Sequence, residues 1–170
     1  IELVHFTILR PPSKRDLTPV KELSLIPFPT QELFAADISK FSLIIFDQYS
    51  LQGVLPERYL NNIAQFVAEG GALLDIAGVE HTKQSSINNS PISSILPSKS
   101  TGEISEGPFT PKLTETGKKH PITNSLLLNK GDENWGKWYR YIKAEKVFGK
   151  ILMQHQNSPI MIISDAGVGR

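Results

Sequence analysis

The hydrophobic positions of this chain follow two periods. Between Pro56 and Gly71 the apolar residues Tyr59, Leu60, Ile63, Phe66 and Val67 recur every three or four positions, the spacing of one helix face. Pro56 suits the first helical position, where its missing N–H costs nothing, and the Gly70–Gly71 pair supplies a stop. On either side, "FSLIIFD" (41–47) and "ALLDIAG" (72–78) are near-continuous apolar runs. Such runs suit strands buried on both faces of a parallel sheet. The order strand, helix, strand predicts a right-handed parallel crossover over Phe41–Gly78.

The rest is less regular. "ELVHFTIL" (2–9) is rich in β-branched and aromatic residues and reads as a strand, ended by "RPPSKRD". "TQELFA" reads as a helix start with Thr30 as N-cap and Leu33 and Phe34 on its apolar face. After His81 the texture becomes rich in Ser, Asn and Pro, around a short apolar cluster at Ile92, Ile95 and Leu96. Residues 82–148 read as an irregular, β-containing elaboration. "KILMQHQNSPIMII" reads as two strands joined at "HQNSP", a hairpin signal. The whole predicts a single α/β domain over 1–170, with a mostly parallel sheet and helices on both faces. Both ends read as cuts through a larger protein.

Composition narrows the function classes. The 170 residues are 39% hydrophobic and 21% charged, with a net charge of +1. That balance argues against nucleic-acid or membrane-surface binding driven by bulk charge. The absence of cysteine excludes disulfides, thiolate metal sites and a cysteine nucleophile. No apolar run approaches the length of a membrane span. The dinucleotide, P-loop and G-x-S-x-G signatures are missing, and no cofactor is implied. The four histidines, His5, His81, His120 and His155, show no zinc-ligand spacing, and no metal is assigned.

The segment "FSLIIFD…LPERYLNNIAQFVAEGGALLDIAG", together with "KHPITNSL", resembles the class I glutamine amidotransferase-like superfamily, in its non-catalytic and ThuA-like branch. "HFTILRPP", "LIIFDQYS", "GPFTPKLTETGKKHPIT" and "WGKWYRYI" look like a group of uncharacterised bacterial membrane proteins that carry such a domain beside transmembrane segments. The resemblance implies a flavodoxin-like three-layer sandwich, truncated here at both ends, attached to a bacterial inner-membrane protein. In the catalytic families the strand matching "ALLDIAG" leads into a sharp turn bearing the cysteine nucleophile. Here Ala77 and Gly78 occupy that degenerate corner, and neither side chain can attack a substrate. The family's late "H.E" pair is missing too, since His120 precedes "PIT" and His155 precedes "QNS". Glutamine hydrolysis by the family mechanism is therefore not expected.

Two further sets of residues carry candidate chemistry. Glu80 and His81, with Asp47 at the neighbouring strand end, place carboxylates and an imidazole at the carboxyl edge of the predicted sheet, where open α/β folds bind ligands. A hydrolase-type site would need them to converge; ordinary solvated loop residues would not. Asp75 and Asp165 also lie near strand ends and read as loop or cap aspartates. The run "WGKWYRYIK" interleaves Trp135, Trp138, Tyr139 and Tyr141 with Arg140 and two lysines. These residue types are favoured anchors for a protein partner, and alternation in a half-buried strand explains them as well. The reading is a catalytically inactive binding or assembly module for a protein partner or a small ligand. The rival is an uncharacterised hydrolase using Glu80, His81 and Asp47; a purely structural spacer is a third possibility.

Overall fold

The computed structural model describes residues 2–7, 29–51, 54–127 and 136–169. The predicted crossover unit is present. Strand β1 (Leu43–Asp47) pairs in parallel with β2 (Ala72–Ile76), in the register Ile44 to Leu73 and Phe46 to Asp75. Helix α1 (Glu57–Ala68) connects them and buries Tyr59, Leu60, Ile63, Phe66 and Val67, the five residues of the periodic face. Pro56 stands one place earlier than expected, as the N-cap in extended backbone. The helix stops at Gly70, which takes φ 121°, a conformation that side chains resist.

One face of the β1–β2 pair carries Ile44, Phe46 and Leu73 into the core. Tyr59, Leu60 and Ile63 of α1 meet them there, with Phe34 from the π-helical turn Glu32–Ala36. Asn62 fastens that turn to α1 by donating to the Phe34 carbonyl at 2.8 Å. The turn begins at the Leu33 N–H, which donates to the Pro29 carbonyl, and no side chain caps it, so Thr30 is not the cap the sequence suggests. The 3-10 turns Ile87–Asn89 and Pro91–Ser94 and the residue Leu96 close the core with Ile87 and Ile92, while a further 3-10 turn, Val79–Thr82, follows β2.

The other face is open. Leu43, Ile45, Leu74 and Ile76 are between 41% and 48% exposed. The expectation of strands buried on both faces is thus corrected: helical elements cover one face, and no described element covers the second.

The remaining strands are antiparallel, which corrects the expected mostly parallel sheet. Strand β3 (Ser98–Phe109) pairs with β5 (Trp138–Lys146) in a long ribbon with irregular register at two places. Strands β4 (Lys112–Leu113), β6 (Lys150–His155) and β7 (Ser158–Ile163) form a three-stranded sheet in the order β4-β6-β7. The predicted hairpin at "HQNSP" is the β6–β7 turn, with Gln156 at φ 52°. Short helix α2 (Glu115–Lys119) packs on β6, capped by Thr114, whose hydroxyl oxygen accepts from the Gly117 N–H. Residues 2–7 are exposed and lie outside the named strands, so the described part of the expected 2–9 strand is not a strand in this structure. Past β7, the turn Ala166–Gly169 lies against the end of α1, where the Val168 N–H donates to the Ala68 carbonyl at 3.1 Å. No described helix is long and apolar enough to cross a membrane.

Candidate functional site

The corner after β2 is built on an imidazole. His81 is the third residue of the Val79–Thr82 turn, so its ring folds back over the start of that turn. Its Nδ1 accepts the Gly78 N–H at 3.1 Å, the role a glutamate or glutamine often plays at this helical position. That bond fixes the tautomer: Nε2 carries the proton and donates to the Asp75 carboxylate, at 2.9 Å from Oδ2 and 3.2 Å from Oδ1. The His81 side chain is 4% exposed and that of Asp75 14%. Both ring nitrogens are thereby committed to the protein itself.

Glu80 points elsewhere. It accepts from Lys83 at 2.7 Å and from the Ser85 hydroxyl at 3.0 Å. The Lys83 bond, seconded by that of Ser85, holds its carboxyl below the usual glutamate range. Asp47 aligns with Ile76 on the open face of the sheet, whereas Asp75 aligns with Phe46 on the covered face. Glu80, His81 and Asp47 therefore do not converge, and the carboxylate that meets His81 is Asp75. The expected solvated loop is also corrected, because His81 is buried.

The degenerate corner is shaped by contact. Gln48, in the left-handed region at φ 51°, lies over Gly78 and donates its backbone N–H to the Ile76 carbonyl at 2.9 Å. A Cβ on Gly78 would stand 2.8 Å from both Cβ and Cγ of Gln48. The glycine lets the chain leaving β1 cross the chain leaving β2.

The aromatic patch divides into two parts. Trp135 lies outside the described residues. Trp138 meets Phe109 edge-on at 6.1 Å between ring centres, and Tyr141 meets the same ring at 4.8 Å. His155 of β6 completes the cluster, 4.8 Å from Phe109 and 5.8 Å from Tyr141. Tyr139, 66% exposed, and Arg140 face solvent. The register change between Glu106 and Phe109 explains why strict alternation along β5 does not describe the contacts.

Two shallow cavities lie away from the corner. One, of about 340 Å³, is lined by Glu115, Thr116, Lys119, His120, Pro121 and Lys150. The other, of about 380 Å³, lies between α1 and Asn89–Pro91. Among the described residues no group of three or more acidic or histidine side chains is placed to hold a metal. Phe109, His155 and the Asp75–His81 bond were not singled out by the sequence as site features. An aspartate at a strand end followed six residues on by a histidine inside a short turn is the one local signal that could have paired the last two. The chain matches no family model, no curated protein and no solved structure.

Proposed function

We propose that this chain is a catalytically inactive, amidotransferase-like binding or assembly module of a larger, membrane-tethered bacterial protein. Its β1–α1–β2 unit is then one part of a flavodoxin-like parallel sheet. The observation that carries the reading is the filled corner. Ala77 and Gly78 offer no nucleophile, and His81 spends both ring nitrogens on Gly78 and Asp75. A general base needs a free nitrogen within reach of substrate. The open aliphatic face of β1–β2 supports the module half of the reading, since contiguous exposed apolar surface marks an interaction site.

The test is a pair of variants in the parent protein. Glu80→Ala removes the half-buried carboxylate of the rival hydrolase site, leaves the cellular function unchanged and costs less than about 1 kcal/mol of stability. Ile45→Lys with Leu74→Glu keeps the domain folded and abolishes its function. Loss of function in a Glu80→Ala chain that remains folded, or glutamine hydrolysis by the unaltered chain, overturns the proposal.

A further inference from the structure

We infer that Lys119, His120 and Lys150 form a binding site for a phosphoryl group, separate from the corner after β2. The three line one cavity of about 340 Å³. They come from two elements: Lys119 ends α2, His120 follows it, and Lys150 opens β6.

The backbone beneath them is fixed. Gly117 seats α2 directly on β6, where a Cβ would run into the Leu152 carbonyl oxygen. Thr114 ties the start of the helix to β6 by donating its hydroxyl to the Ile151 carbonyl at 2.6 Å. Thr123 donates to the Gly117 carbonyl and ties down the chain beyond the helix. Pro121 favours the extended backbone that His120 adopts, at ψ 134°, so α2 stops at Lys119. Lys150 follows Gly149, whose φ of 82° and close approach to the Ile163 carbonyl resist a side chain. A support held in this way leaves little backbone ordering to be done on binding.

Charge selects the ligand. Among the described residues no carboxylate lies within ion-pair distance of Lys119 or Lys150. Glu115, the carboxylate among the lining residues, is held by Lys118 at 2.7 Å. His120 accepts the Ile122 N–H on Nδ1 at 3.3 Å, so the neutral ring carries its proton on Nε2, and no described group accepts it. Two ammonium groups and a ring N–H thus line one concavity with no acceptor from the described residues. A phosphoryl group supplies negative charge together with several oxygens for charge-assisted hydrogen bonds. The cavity is shallow, which suits a terminal phosphoryl group whose carrier stays in solvent. Attraction to the last carbonyls of α2 accounts for Lys119, but Lys150 stands on a strand, where that account does not reach.

The test is a titration of the isotope-enriched chain with inorganic phosphate, potassium chloride being lowered in step to hold the ionic strength constant. Amide signals of residues 116–122 and 149–151 shift and saturate, while those of β1 and β2 stay in place. The double variant Lys119→Gln with Lys150→Gln keeps the remaining spectrum and weakens binding by about tenfold or more. Lys99→Gln, which changes an exposed lysine outside the cavity, leaves binding as it was. Sedimentation with phosphatidylcholine vesicles that contain phosphatidic acid separates two sources of the same group. Vesicle binding that needs Lys119 and Lys150 assigns the site to a lipid headgroup; a phosphate response without it assigns the site to a soluble phosphate ester. No saturating shift, a shift that the double variant retains in full, or an equal response to added chloride overturns the inference.

Discussion

His81 and Asp75 form a hydrogen-bonded pair across the end of β2, with Nε2 and Oδ2 2.9 Å apart. The pair faces the covered side of the sheet, and its other end is tied to the Gly78 backbone. An imidazole in this arrangement acts as a brace between the strand and the turn that follows it.

Removing the brace is therefore expected to cost stability. His81→Ala leaves a mostly buried carboxylate and a backbone N–H without partners, a loss of about 2–4 kcal/mol. The midpoint of urea unfolding reads it directly. Asp75→Asn, which can still accept from Nε2, costs less. Equal losses in the two variants would argue against the assigned tautomer.

Gly78 and Gln48 form a second linked pair. Gly78→Ala brings a methyl group to 2.8 Å from the Gln48 side chain and is expected to cost about 1–3 kcal/mol. Gln48→Gly removes the obstructing atoms and suits the positive φ at that position. The double variant is expected to recover most of the loss. Additive losses in a thermodynamic cycle would show that the two residues do not touch.

The Glu80 bonds to Lys83 and Ser85 give stability a pH dependence of definite sign. Because the folded carboxyl lies below the usual glutamate range, this contribution is fully present above that range. It disappears as the pH falls through the lowered value. The group lies near the surface, so the whole effect is below about 1 kcal/mol. Unfolding curves of Glu80→Gln across acid pH are expected to show a flatter acid limb than those of the unaltered chain.

The two faces of the β1–β2 unit should respond differently to truncation. Ile63, fully buried in α1, is expected to cost about 2–5 kcal/mol when replaced by alanine. Ile45→Ala, on the open face, is expected to cost under about 1 kcal/mol. Comparable losses would mean that the aliphatic face is covered in solution.

The parts legible in the sequence are those specified locally. The face of α1 and the parallel pairing of β1 with β2 follow from periodicity within some thirty-five residues, and the β6–β7 hairpin from its turn residues. The Asp75–His81 bond was missed because its geometry depends on how the 3-10 turn folds back, which periodicity does not encode. The aromatic cluster was only half visible. Trp138 and Tyr141 belong to one conspicuous run, but Phe109 and His155 reach them from distant strands. The open face was misread because an apolar run records what a strand can bury and not whether a covering element is present.

The bond from Val168 to Ala68 at the end of α1 ties residues 100 positions apart. Such a long closure is entropically costly and forms late. The helix can assemble early with its neighbouring strands, while the Ala68 carbonyl waits for the Ala166–Gly169 turn. During synthesis, the Val168 amide would then gain protection from exchange with solvent only after the amides of α1 have it.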